Sequence, residues 1–161
     1  MQKKKSDMAL IRKGYAADWD VAMELAYRTF LKFNAKDYSE EGRSNFKAFV
    51  YGEELYKQFV MGNYQLIVAY EKEEMVGMLL LMQHRHISLL FVDGDYHRIG
   101  IGHALIESAS MRVKLSARRH KKLTVNASPY ALPFYEKEGF IEVKPMQLDN
   151  GIKVYPMELH I

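Results

Sequence analysis

The sequence predicts an α/β (α+β) fold, a central mixed and mostly antiparallel sheet with helices on both faces, and three observations carry that prediction. Residues 64–92 hold three apolar runs, the first two flanking the charged turn EKEE, which reads as a hairpin with a third neighbouring strand. Residues 86–126 then run strand, polar elbow, long helix, strand, the pattern of a right-handed βαβ crossover with parallel strands. Residues 140–143 and 152–159 flank the turn LDNG and close the sheet as an antiparallel pair.

The 161 residues suit one domain spanning 1–161, large enough for a hydrophobic core and short for two. Hydrophobic residues at 48% and charged residues at 27% lie in the globular range. No apolar run approaches the roughly 18 residues of a membrane span, and the basic start MQKKKSD lacks the apolar stretch of a signal peptide. A cytoplasmic protein with no membrane partner is the expectation. The absence of cysteine removes thiol nucleophiles and thiolate metal sites. A net charge of +3 suits an anionic small ligand; nucleic acid is not expected, because no groove-reading element accompanies the basic residues.

Element by element, residues 8–13 read as a strand and 3–5 as a solvated basic tip. Asp18 is placed as the cap of a helix to about Phe33, with Val21, Leu25 and Thr29 on its apolar face. Asp37 and Glu40 have capping-box spacing for a second helical stretch, which Gly52 and Gly62 punctuate and which ends near Met61. Strands at 64–70, 75–83 and 86–92 follow. The spacing of Ile101, Leu105, Ala109, Val113 and Ala117 predicts a helix over 100–119. Its basic end, Arg118 to Lys122 through Arg119, His120 and Lys121, fits the helix dipole and solvent. Residues 123–126 are a short strand. Ser128 with Pro129 signals a helix start, and the helix runs to Lys137 before Gly139. The aromatics Phe30, Phe33, Phe46, Phe49, Tyr51, Tyr56 and Phe59 are core and pocket wall.

The elbow reads FVDGDYHRIGIGHALIESA over 91–109. A glycine-bearing turn at a helix start exposes unpaired N–H groups and the positive end of the helix dipole, which suit phosphate oxygens. A P-loop is excluded, since GxxxxGK[ST] is absent. A Rossmann dinucleotide site lacks its third glycine, Leu105 standing there, and its acidic residue about 20 positions on. Two glycines alone fit turn geometry or helix packing equally well.

The stretch LTVNASPYALPFYEKEGFIEV, residues 123–143, narrows the choice. Together with the elbow it resembles the GCN5-related N-acetyltransferase (GNAT) family, whose Q/R-x-x-G-x-G/A loop is matched by His97, Arg98, Ile99, Gly100, Ile101 and Gly102. The family's N-x-x-x-x-A-x-x-F-Y-x-x-x-G-F segment is matched by Asn126, Ala131, Phe134, Tyr135, Gly139 and Phe140. His97 departs from the usual Gln or Arg while remaining a hydrogen-bond donor. The resemblance covers residues 64–143; the first 60 and last 15 residues match only in the order of elements.

The resemblance implies an acetyl-CoA-dependent N-acetyltransferase without a metal. It assigns the phosphates to the backbone from His97 to His103, with charge from Arg98. It assigns the pantetheine arm and the thioester carbonyl to amides near Leu90, Phe91 and Val92, on a strand edge opened by splaying. Asn126, Ala131 and Phe134 complete the cofactor set, and Tyr135 takes the place of the general acid that protonates the departing thiolate. Each has a plainer reading as well: Tyr135 as an aromatic core residue, Arg98 as a solvated elbow residue, Asn126 as a turn former. The acceptor side is expected at Phe33, Asp37 and Tyr38, although Asp37 serves equally as a helix cap.

A lysine-like amine is almost wholly protonated at neutral pH, so a base or water relay is expected. His84, His86 and Asp93 are candidates, none assigned; the two histidines lack a third ligand for a metal. The expectation is direct transfer in a ternary complex to a small-molecule amine or a peptide or protein amine, by a monomer or homodimer. Two other readings stay open: a non-catalytic acyl-CoA-binding domain on the same fold, and a dinucleotide-dependent reductase.

Overall fold

Apolar runs that stay apolar on both faces build the middle of the sheet, and runs that alternate build its far half. The computed structural model describes residues 9–119, 121–149 and 151–161; the basic tip 3–5, Met8, His120 and Asn150 lie outside the described residues. The strands β1 (Ala9–Lys13), β2 (Tyr64–Glu71), β3 (Glu74–Met82), β4 (His86–Val92), β5 (Lys122–Ala127), β6 (Ile141–Glu142), β7 (Gln147–Asp149) and β8 (Ile152–His160) line up in the order β1-β2-β3-β4-β5-β8-β6, with β7 on β8. Every pairing is antiparallel except β4 with β5. The parallel step follows from the crossover through α4 (Ile101–Leu115).

Two buried clusters, one on each face, hold the helices down. On one face Ile101, Leu105, Ile106, Ala109 and Val113 of α4 meet Ile67, Leu79, Leu81, Ile87, Leu123 and Val125. On the other, Trp19, Ala22, Met23, Leu25 and Ala26 of α1 (Trp19–Phe33) meet Leu66, Val68, Met78, Leu80 and Leu89. The expected mixed sheet with helices on both faces is the architecture found.

Helix ends differ from expectation where a side chain found a better partner. Asp18 does not cap α1; its carboxylate accepts from the Arg12 guanidinium at 2.9 Å twice, from the Tyr15 N–H at 2.8 Å and from the Tyr70 hydroxyl at 3.0 Å. These charge-assisted bonds hold its pKa down at about 2, the Arg12 bond contributing most. Leu25 and Thr29 are buried as expected, together with Ala22 and Ala26, whereas Val21 is 47% exposed and lies outside the apolar face of α1. Helix α2 (Glu40–Tyr51) is capped by Ser39, whose Oγ accepts from the Gly42 N–H at 3.0 Å; Asp37 is exposed and ends a 3₁₀ turn instead. Gly52 separates α2 from α3 (Glu53–Val60), as its lack of helix propensity suggests. Helix α4 ends at Leu115 rather than 119, with Ser116 as its C-cap. Helix α5 (Leu132–Lys137) starts four residues beyond Ser128, whose Oγ accepts from Ala131 N in a preceding turn.

Candidate active site

The parallel pair of strands opens almost as soon as it forms. Only His86↔Thr124 and Ile87↔Val125 are in register, and beyond them β4 and β5 part. A bulge sits at the parting: Leu80 faces Leu89 and Leu81 faces Ile87, leaving Ser88 unopposed. The bulge also switches faces, so that Ile87 belongs to the α4-side cluster and Leu89 to the α1-side cluster. Asp93 N–H donates to Val76 at 2.9 Å across β3. Strand alternation therefore turns the backbone groups of Leu90 and Val92 away from β3 and into the opening. The Val92 carbonyl there accepts from His97 Nε2 at 2.6 Å. The amide positions Leu90 and Val92 thus lie outside any β5 pairing, while that of Phe91 faces β3.

The elbow above the opening is set by three backbone devices. Asp93 accepts from Asp95 N–H at 3.0 Å and pairs with Arg28 at 3.2 Å, which fixes a 3₁₀ turn over Gly94–Tyr96. Arg98 then takes a positive φ of 62° and Gly100 one of 96°, the second being a conformation glycine adopts without penalty. Gly100 is the N-cap residue of α4 and supplies no capping side chain; the first turn holds no acidic residue. The first N–H groups of the helix, from Ile101 to His103, are left without intrahelical partners. Gly102 also has a packing role, one of the readings open from its spacing. A Cβ there would lie 2.9 Å from the Phe134 ring, so the missing side chain lets α5 close against α4. Ile101 is a buried core residue and Ile99 packs on the same cluster, so neither side chain is offered to a ligand. Arg98 is exposed. The His103 ring turns to Glu138 at 2.7 Å and Glu107 at 2.8 Å, and the Glu138 hydrogen bond raises its pKa.

Tyr135 is 5% exposed and belongs to the α4-side cluster that includes Ile87, Val125 and Ala127 and against which Leu90, Val92, Ala131 and Phe134 pack. It stands between the rings of Phe134 at 5.2 Å and Phe140 at 5.1 Å. Burial alone pushes its phenol pKa well above the ordinary value, so the hydroxyl keeps its proton. Asn126 projects from the other face of β5 and is exposed.

The acceptor-side residues divide. Phe33 reaches the elbow, 4.6 Å from the His97 ring and 5.6 Å from the Tyr130 ring. Tyr38 sits among Phe30 and Phe46, with Phe46 5.9 Å from Phe91 at the end of β4; desolvation first and the charge of Asp149 second push its pKa up to about 12. Asp37 is exposed and joins neither group. Asn34 Nδ2 donates to Ser128 Oγ at 3.3 Å, tying the end of α1 to the loop after β5 across the mouth of the opening. Asn34, Tyr130 and the Ser88 bulge were invisible to sequence reasoning: nothing in their local pattern foretells a contact 94 residues away or an extra strand residue. The histidine pair is also rearranged. His84 lies in a left-handed turn with φ of 54°, and only His86 is on β4, its Nδ1 2.7 Å from Thr124 Oγ1.

The splayed parallel strands, the bare helix start beside them and the aromatic mouth define a class of protein, the acetyltransferases of the GNAT fold. A family model described as the acetyltransferase (GNAT) domain matches residues 34–161, and the chain belongs to that family. Among curated relatives it is similar to the uncharacterised N-acetyltransferase YafP of Escherichia coli K12, 35% identical over 85 residues, which make up 53% of this chain and 51% of that protein. It is 29% identical over 106 residues to the peptidyl-lysine N-acetyltransferase YjaB of the same organism, covering 65% of this chain and 68% of that one. Aligned sequence thus spans about half of YafP and two-thirds of YjaB. The fold matches the PaiA N-acetyltransferase of Thermoplasma acidophilum in complex with coenzyme A, with a TM-score of 0.73 at 18% identity over 95% of this chain and 99% of that one. The mostly antiparallel sheet sets aside the dinucleotide-reductase reading, which needs a doubly wound parallel sheet.

Proposed function

We propose that this acetyltransferase domain moves the acetyl group of acetyl-CoA to a primary amine by direct attack in a ternary complex, with Tyr135 as general acid. The observation that carries the reading is the opening of β4 from β5 beyond Ile87 and Val125. An extended arm bearing amides finds there a strand edge whose N–H groups, at Leu90 and Val92, recur every second residue. Next to that edge the uncapped N–H groups from Ile101 to His103 suit a pyrophosphate. The likeness to a fold solved with coenzyme A supports the same placement.

Acetyl-CoA supplies an activated acyl group and a thiolate leaving group. The chain's contribution begins with a Leu90 or Val92 N–H, which polarises the carbonyl and stabilises the oxyanion as the amine adds. The Tyr135 phenol holds its proton in a water-poor pocket and passes it to the departing sulfur. The proton that the amine nitrogen loses as the amide forms leaves through a base or water relay, and the phenolate is reprotonated from solvent. Burial that raises the phenol's pKa also disfavours a bare thiolate beside it, which keeps the transfer in reach. With no cysteine in the chain, an acyl-enzyme on sulfur is not available. His97 acts through its bond to the Val92 carbonyl, holding the elbow against the end of β4.

The test is an acceptor panel of polyamine, amino acid and lysine peptide, incubated with acetyl-CoA and followed by release of free coenzyme A. Release with at least one amine is expected. Coenzyme A binding by thermal shift without release for any amine would reduce the chain to a binding domain.

A further inference from the structure

A second concave site lies at the closed end of the splay. Arg85, Arg118, Arg119, Lys122 and Thr124 surround a cavity of ≈ 260 Å³. Because α4 stops at Leu115, the residues after it do not extend the helix, and Arg118 Nε donates to the Gln83 carbonyl at 2.9 Å. Lys121 is the residue that serves the helix end, through its ammonium to the Ser116 carbonyl. Among the described residues Lys122 pairs with Glu158 at 2.8 Å, and no carboxylate neutralises Arg85, Arg118 or Arg119. The concentration of positive charge registers on both neighbouring histidines. Desolvation lowers the pKa of each, and then Arg85 acts on His86 while Arg112 and Arg118 act on His84.

The position of this cavity matters as much as its charge. Leu123, Val125 and Ala127 face the α4-side core, so Lys122, Thr124 and Asn126 form a row on the opposite face of β5. Helix α1 packs across β3 and β4 on that face, and Asn126 at the top of the row is exposed. The row climbs from the basic cavity to the place where the strands part, with Thr124 and Asn126 about 7 Å apart at strand spacing. The basic end therefore opens onto the face of the splay that the α4 side leaves to the acceptor.

We infer that the amine acceptor carries an anionic group, a carboxylate or a phosphate, which Arg85, Arg118 and Arg119 hold while its amine lies at the opening of β4 and β5. The inference rests on the acetyl-transfer reading above. Guanidinium groups suit such an anion because they bind it through paired N–H donors. An acceptor charged only positively meets repulsion at this end.

Four acceptors of one length test it: 6-aminohexanoate, its carboxamide, 1,6-diaminohexane and 4-aminobutyl phosphate, each with acetyl-CoA, followed by coenzyme A release. The two anionic arms are expected to exceed the carboxamide and the diamine in kcat/KM by about tenfold or more, with the advantage shrinking as salt screens it. The ratio of the carboxylate to the phosphate arm tells which anion the cavity fits. Arg85→Ala with Arg119→Ala should collapse the anionic-to-carboxamide ratio through KM, and Arg119→Lys should restore part of it; both arginines are exposed, and a melting curve checks that the variant is folded. Equal or better turnover of the carboxamide or diamine overturns the inference and leaves acetyl transfer standing, as does a preference that survives the double substitution. No turnover in any arm, or in the broader amine panel, overturns both.

Discussion

The two halves of the sheet are built on different rules. Strand β3 reads EMVGMLLLM and is buried at every position except its ends, because α4 covers one face and α1 the other. Strand β5 reads KLTVNA and alternates, burying Leu123, Val125 and Ala127 and leaving Lys122, Thr124 and Asn126 at least partly open. A strand covered on both faces has no polar side chain to offer and contributes cohesion. A strand covered on one face keeps a polar row for a ligand at no cost to the core. The proposed chemistry falls on the seam between them, where β4, bulged at Ser88, changes the face it buries.

The sharpest test of that division is Tyr135, in the α4-side cluster against which Leu90 and Val92 pack. Tyr135→Phe keeps the ring between Phe134 and Phe140 and removes only the hydroxyl. Turnover should fall by about 10²–10⁴-fold, the usual contribution of a general acid, while acetyl-CoA affinity by calorimetry changes less than about twofold. Equal turnover in the two proteins would return Tyr135 to the core and leave the acid unassigned.

Next in size is the contrast between the halves themselves. Leu80, 0% exposed in the doubly covered half, should cost about 3 kcal/mol when cut to alanine, through lost transfer energy and the cavity left behind. Thr124→Val in the singly covered half removes the bond to His86 and should cost about 1 kcal/mol or less. Denaturant unfolding measures both, and comparable losses would dissolve the distinction.

The same contrast explains what could be read from the chain alone. Strands and α4 were legible because their apolar periods are imposed by the sheet they cover: Ile101, Leu105, Ala109 and Val113 are all buried. The elbow glycines and the segment from Asn126 to Phe140 carried the family, since their spacing is demanded by backbone conformation and helix contact. Helix ends were read less well, because Asp18 and Ser39 offer similar oxygens and only tertiary partners decide between capping and pairing. Arg12 claimed Asp18, and Gly42 was left to Ser39. The basic cavity was illegible for a related reason. Arg85 and Lys122 come from segments 37 residues apart in the chain, and the charged run after α4 does not show in its own pattern which strand end it will stand beside.

The Asp18 site gives a smaller, pH-dependent effect in the doubly covered half. Its carboxyl has a pKa of about 2 when folded against an ordinary 3.8, so the folded state gains from its ionisation above pH 3.8. That gain is complete near pH 5 and disappears as pH falls through 2, because protons then bind the unfolded chain first. Asp18→Asn should lower stability at neutral pH by about 1–2 kcal/mol and flatten the acid limb of a melting-temperature profile between pH 5 and 2. A profile that keeps the wild-type slope would place the acid sensitivity elsewhere.

The smallest effect expected is where the β7–β8 turn meets the start of α2. Ser39 caps α2 through its Oγ and also donates its N–H to the Gly151 carbonyl, 3.2 Å away in the β7–β8 turn. Ser39→Ala removes the first bond and keeps the second, at a cost of about 1 kcal/mol for a lost N-cap. Gly151→Ala acts on the second. Gly151 has φ of 79°, and a Cβ there would fall 2.0 Å from the Ser39 Oγ, so the turn must withdraw from the helix. If the contact holds the hairpin against α2, amide exchange of β7 should quicken in Gly151→Ala and stay near wild type in Ser39→Ala. Equal exchange in both would show that β7 is held by β8 alone.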